Sequence, residues 1–192
     1  IQLERFTKVL RTVQTQESIC FHLANSAGTL SDTNLHFDMV RVGLCLYGYS
    51  PIIGFDCDLN LKPALNVKAR ITFIRDVPRN TGVGYGHLFR TKKKSRLAVV
   101  SIGYADGVSR SLSGKISAIV GGALVPQVGA IAMDQMVFDI TEHPNIKAGM
   151  AVTILGTNDQ IVISPQEWSD LSGSIPWEIL CGFKNRLPRV VI

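Results

Sequence analysis

Ile116-Ser117-Ala118-Ile119-Val120-Gly121-Gly122-Ala123-Leu124-Val125-Pro126-Gln127-Val128-Gly129-Ala130-Ile131-Ala132-Met133 runs for eighteen residues without a charge, long enough to raise the question of a membrane helix. Its interruptions decide against one. Gly121-Gly122 breaks the run in the middle, and Pro126, Gln127 and Gly129 divide the remainder into short apolar blocks. Two buried strands around a Gly-Gly turn account for the pattern. The flanking sequence has the same character. Residues 67–74, 96–102, 116–120, 136–140, 151–155 and 160–163 are short β-rich runs separated by turn formers, without long helical periodicity. They predict an antiparallel sheet or a small barrel. Ser164-Pro165-Gln166-Glu167 then supplies an N-cap, a proline for the first helical position and a capping-box glutamate, so a short helix is predicted to start there. A second helix is predicted over 177–181 and a last strand over 189–192.

The first sixty residues read differently. Leu3, Phe6, Leu10 and Val13 fall three and four apart and predict an amphipathic helix over 1–14. An apolar run at 19–23, followed by Ala24-Asn25-Ser26-Ala27-Gly28, predicts a strand and then a loop. A second strand is predicted over 39–47, although Arg41 and Gly43 interrupt it. Helix, strand, loop, strand suggests the tail of a parallel α/β array. The boundary is predicted near residue 60, giving domains 1–60 and 61–192.

Bulk properties narrow the function classes. A hydrophobic share of 46% with 18% charged residues excludes a disordered chain. Cys20, Cys45, Cys57 and Cys181 show neither C-x-x-C spacing nor a histidine at metal-site distance. They are expected to be free, mostly buried thiols in a reducing compartment, the cytoplasm by default, with no metal site. Ile1 is not an initiator methionine and no charged-then-apolar leader follows it. The expectation is no signal peptide, and a chain beginning partway through a gene product. The formal charge of +5 is concentrated between Lys68 and Arg96, where nine basic residues face one acid, Asp76. Such a patch can attract nucleic acid. Few aromatics interleave it, and a solvated hairpin tip at Lys92-Lys93-Lys94 is the simpler account.

Four places can hold chemistry. Asn25-Ser26, a polar loop after a buried strand, offers N–H groups and a hydroxyl suited to a phosphate, or an ordinary turn capped by Ser26. Arg41 lies within an apolar strand, where a guanidinium needs either a pairing partner or a cavity. Val83-Gly84-Tyr85-Gly86-His87 and Gly103-Tyr104-Ala105-Asp106-Gly107 each set a tyrosine among small residues, which let the backbone approach a partner closely; a packed hairpin tyrosine is the alternative. Ala132-Met133-Asp134-Gln135 reads as a strand end.

Together, in this order, these motifs are specific. His22-Leu23-Ala24-Asn25-Ser26-Ala27-Gly28, Arg41-Val42-Gly43-Leu44 with Tyr47-Gly48, Val83-Gly84-Tyr85-Gly86, Gly103-Tyr104-Ala105-Asp106-Gly107, Met133-Asp134-Gln135 and residues 178–189 resemble successive motifs of bacterial alanine racemases, end to end. The fold this implies is mostly β: a C-terminal antiparallel β-domain preceded by the last strands of a partial (β/α)8 barrel. The resemblance implies a pyridoxal 5'-phosphate enzyme interconverting L- and D-alanine, a homodimer whose site is shared between subunits. It implies that Ser26, with Asn25 and the backbone of Gly43 and Leu44, holds the cofactor phosphate, and that Arg41 faces the pyridine nitrogen. A guanidinium keeps its proton to above ~12, so that nitrogen stays unprotonated and the ring becomes a weaker electron sink. Tyr85, from the partner subunit, is implied as the second catalytic base. A phenol titrates near ~10, so nearby positive charge must make it more acidic to act at neutral pH. The Met133 N–H is implied to hold the substrate carboxylate, while Tyr104 and Arg110 line substrate access.

Two departures stand out. The family's cofactor lysine belongs to a motif ahead of everything seen here, so no covalent attachment and no racemase activity are expected of this chain by itself. The family's phosphate-holding tyrosine appears as Trp177, whose indole donates one hydrogen bond and accepts none. Two other readings remain: a non-catalytic β-domain that only dimerises, and a small basic barrel that binds nucleic acid.

Overall fold

The computed structural model describes residues 1–13, 18–52, 54 and 60–191. The chain forms two compact units, Ile1–Ala64 and Leu65–Ile192.

The first unit contains α1 (Gln2–Leu10), β1 (His22–Asn25), α2 (Ser26–Ser31) and β2 (Met39–Arg41), with 3-10 turns at Thr33–Leu35 and Leu44–Tyr47. β1 and β2 pair in parallel, with His22 opposite Met39 and Asn25 opposite Arg41. Parallel neighbours need a crossover, which α2 and the first 3-10 turn provide. This is the βαβ arrangement of a partial barrel. Among its described residues the buried side chains are those of Ala24, Ser26 and Leu44. α1 buries no residue; Phe6 meets Phe37 edge-on at 5.1 Å.

Several sequence expectations need correction here. The first helix ends at Leu10 rather than 14, and residue 14 lies outside the described residues. The first strand begins at His22, not 19, so Asn25 closes a strand and Ser26 opens a helix where a loop was expected. The expected strand over 39–47 stops at Arg41. Gly43 takes a conformation outside the extended region, and Leu44–Tyr47 coils into a 3-10 turn closed by Gly48 at φ 81°.

The second unit is an antiparallel barrel. Its strands are β3 (Val67–Val77), β4 (Gly82–Val83), β5 (Phe89–Arg90), β6 (Ser95–Val100), β7 (Ser117–Val120), β8 (Ala123–Val128), β9 (Met136–Asp139), β10 (Ala151–Asn158) and β11 (Ile161–Ile163). The main sheet runs β11-β10-β3-β6-β9-β8-β7. β7 pairs back onto β10 through Val120–Val152 and Ile119–Thr153, so six strands close on themselves and cover their edges. Ile71, Ile119, Met136, Phe138, Ile154 and Leu155 are fully buried in it. Gly121 and Gly122, at φ 56° and 79°, make the two-residue hairpin that joins β7 to β8, as the interrupted apolar run predicts. No helix among the described residues is long and apolar enough to cross a membrane.

β4 and β5 form a separate small hairpin, held by a cluster of Val77, Val83, Leu97 and Val128 with Phe89 and Val137 against it. α3 (Pro165–Ser172) starts as predicted, with Ser164 Oγ accepting from the Glu167 N–H at 3.1 Å. α4 (Pro176–Gly182) follows, and fully buried Trp168 of α3 packs on Phe183. Residues 189–191 form no strand, and residue 192 lies outside the described residues. The described cysteines are free, as expected, but not mostly buried. Cys20 and Cys181 are free and exposed, Cys45 is free and half-buried, and Cys57 lies outside the described residues.

Candidate active site

In the first unit, the parallel pairing of β1 and β2 sets Asn25 beside Arg41. Asn25 caps α2, its Oδ1 accepting from the Gly28 N–H at 3.0 Å. Asn25, rather than Ser26, is the cap. Ser26 is buried, and its Oγ accepts from the Gly43 N–H at 2.9 Å. Its own proton finds no acceptor among the described residues. The Leu44 and Cys45 N–H groups, at the start of the 3-10 turn, likewise donate to nothing among them. Of the groups expected to hold a phosphate, the Ser26 hydroxyl and the Leu44 N–H are therefore available, whereas the Gly43 N–H is already engaged by Ser26.

Arg41 Nη1 lies 2.7 Å from His22 Nδ1. A guanidinium only donates, so Nδ1 accepts and the imidazole proton sits on Nε2. Arg41 and Asn25 open onto a groove of about 790 Å³, also lined by Leu23, Ala24, Gly28 and Ile52, with no carboxylate on its walls. The unpaired Ser26 hydroxyl and Leu44 N–H, which do not line that groove, suit an anionic group such as a phosphate, while Arg41, with no opposing acid in the groove, offers a donor to a ring nitrogen. This donor set fits pyridoxal phosphate.

In the second unit, one strip of backbone, residues 129–133, brings together the segments that carry Tyr85, Tyr104, Arg110 and Met133. Gly129, at φ 76°, lies so close to the β4–β5 hairpin that an added Cβ would come within 2.7 Å of Val83 O. Gly84, at φ 67°, faces Ala130. Tyr85 follows on this bend and is 77% exposed, so its ring is not the packed hairpin tyrosine of the alternative reading. Further along, Tyr104 N–H donates to Ala132 O at 3.0 Å and Ala105 N–H to Met133 O at 2.9 Å. Gly103 is required at this crossing, because a Cβ there would sit 2.2 Å from Ala132 O. Ser113 Oγ donates to Arg110 O at 2.7 Å and accepts from Ile131 N–H at 3.0 Å, tying the 3-10 turn Arg110–Leu112 to the same strip. Met133 is exposed, in a loop before β9 rather than at a strand end, and its N–H donates to nothing among the described residues.

The other side of the Tyr104 turn is also fixed. Nearly buried Asp106 accepts from Gly103 N–H and from Arg186 Nε, each at 2.9 Å. Trp177 stands in the first turn of α4, 40% exposed, with its indole N–H unpartnered among the described residues. Sequence reasoning gave no role to His22, Asp106, Ser113 or Gln127. Gln127 alone carried a usable signal, a polar residue inside a buried strand. Among the described residues no group of acids, histidines and cysteines is placed to hold a metal ion.

A family profile described as "Alanine racemase, C-terminal domain" matches residues 64–191, and one described as "Alanine racemase, N-terminal domain" matches residues 1–51. The chain belongs to the alanine racemase family. It is 59% identical over 192 residues to an alanine racemase of Prochlorococcus marinus, covering 100% of this chain and 50% of that protein. It is 47% identical over 191 residues to one of Nostoc sp., covering 98% and 50%. The crystal structure of alanine racemase from Bacillus anthracis with bound L-Ala-P superposes with a TM-score of 0.88 at 34% identity, over 99% of this chain and 48% of that one. The Bartonella henselae alanine racemase with covalently bound pyridoxal phosphate gives 0.86 at 32%, over 99% and 51%. The chain thus spans about half the length of the alanine racemases it matches.

Proposed function

We propose that this chain is the second half of a pyridoxal-phosphate-dependent alanine racemase, comprising the end of its barrel (1–60) and its β-domain (61–192). The whole protein interconverts L- and D-alanine as a cytoplasmic homodimer and supplies D-alanine for peptidoglycan. The observation that carries this reading is the exposed Tyr85 phenol, on a glycine bend packed against the strip that ends in the unpartnered Met133 N–H.

Pyridoxal phosphate, when bound, withdraws electron density from the α-carbon and so acidifies its proton. The Ser26 hydroxyl and the Leu44 N–H would hold the phosphate, with Asn25 and Gly43 fixing their positions. Arg41, hydrogen-bonded to His22, would donate at the pyridine nitrogen. The Met133 N–H binds the alanine carboxylate, and Tyr104 and Arg110 line the approach. Racemisation needs proton removal on one face of the α-carbon and return on the other. Tyr85 Oη serves one face, across the subunit boundary, and the amine of an upstream lysine serves the other.

Deuterium incorporation by NMR tests these roles. In the whole protein, Tyr85→Phe should slow α-proton exchange from one enantiomer by ~10²–10⁴-fold and spare the other. Equal loss from both enantiomers would remove Tyr85 from its role. The 192 residues alone should neither racemise alanine nor retain the cofactor after borohydride treatment. A reduced pyridoxyl adduct on one defined lysine would contradict this.

A further inference from the structure

Gln127 is an amide inside a barrel strand, only 2% exposed. Burying an amide costs stability unless its donors and acceptor find partners. Here Nε2 donates to Val128 O and Gly129 O, each at 3.0 Å, and Oε1 accepts from the Gly114 N–H. Gly114 directly follows the turn that carries Arg110 and its Ser113 tie, whereas Gly129 opens the strip that carries Met133. The β8–β9 pairing reaches only Val128; beyond it the far end of the strip is held by the Tyr104 and Ala105 N–H groups at Ala132 O and Met133 O, and the near end by the side chains of Gln127 and Ser113. One side chain thus joins the two backbone segments on which Arg110 and Met133 stand.

We propose that Gln127 is a positioning residue, which fixes the strip 129–133 against the Arg110 turn and so sets where the Met133 N–H meets a substrate carboxylate. This rests on the racemase reading of Met133. The Tyr85 bend packs on Gly129 and Ala130 of this strip, but its hairpin is anchored in addition by the apolar cluster of Val77, Val83, Leu97 and Val128, which does not need the amide. Losing the amide should therefore weaken carboxylate binding and leave proton transfer intact. A contact made equally in the ground state and the transition state appears in KM and not in kcat.

The test uses Gln127→Leu and, as a more adaptable apolar replacement, Gln127→Met in the whole protein. Both should raise KM for alanine about 5–10-fold with kcat within about twofold, the loss expected from one misplaced hydrogen bond. An unchanged KM, or a fall in kcat at constant KM, would overturn the proposal. Amide hydrogen exchange on the 192-residue chain gives a readout independent of activity. The Gly114 and Ile131 N–H groups should exchange roughly tenfold faster in both variants, with the amides of β6 unchanged. Unchanged exchange at Gly114 and Ile131 would also overturn it. Should the unsubstituted whole protein fail to racemise alanine, the racemase reading falls, and the exchange experiment still decides whether Gln127 fixes the strip.

Discussion

A tyrosine at the tip of a turn stays in place only if its backbone is held, and Tyr85 is flanked by two residues that have no side chains to obstruct this. Gly84 and Gly86 take left-handed conformations at φ 67° and 68°. The Tyr49 hydroxyl shows the opposite case: it is buried without a partner among the described residues, and burial raises its pKa above the usual 10.0. Because the folded value exceeds the unfolded one, folding favours the neutral phenol. That contribution is complete below about pH 10 and is lost as pH rises through the raised value. Tyr49→Phe keeps the ring and removes a hydroxyl that has no partner among the described residues. At neutral pH it should leave stability unchanged or raise it by up to ~1 kcal/mol, and it should flatten the alkaline loss above pH 10. Urea unfolding at both pH values measures this, and a drop beyond ~1 kcal/mol at neutral pH would reveal a partner for the hydroxyl.

Elements were legible in the sequence where their ends are written locally. Ser164-Pro165 begins α3, and Gly173, at φ 72°, ends it. Ser164→Ala removes the Oγ acceptor for the Glu167 N–H, so it should cost about 1 kcal/mol in urea unfolding while leaving the denaturant slope unchanged. A change in slope would point to a larger rearrangement. The run 39–47 is locally ambiguous because an apolar stretch of that length suits a strand or a helical turn equally, and Gly43 lies past the end of the strand rather than interrupting it. The site was legible to the same degree. Tyr85, Tyr104 and Met133 stand out because glycines or a polar break flank them. Ser113 and Asp106 also adjoin glycines, Gly114 and Gly107, but nothing local names their partners, which lie elsewhere in the chain: Ile131 and Arg186.

At the scale of the whole chain the two units differ in what they bury. Leu65–Ile192 contains a closed barrel with many fully buried side chains, whereas among the described residues of Ile1–Ala64 the buried side chains are those of Ala24, Ser26 and Leu44. The 192-residue chain should therefore open in two steps. Amides of the first unit should lose hydrogen-exchange protection at lower urea than those of β3, β6 and β9. A single transition for both sets would overturn this. The amino-acid sequence by itself determined the barrel's strands, the Gly121-Gly122 turn, the start of α3 and the order of the family's motifs, because periodicity, caps and turn residues act within a few positions. Tertiary structure decided which polar group faces which. Ser26 meets Gly43 across 17 positions, Arg41 meets His22 across 19, and Gln127 meets Gly114 across 13. Those pairings exist only after distant segments have packed, and for buried Ser26 and Gln127 the desolvation that makes a partner necessary is itself set by the fold around them.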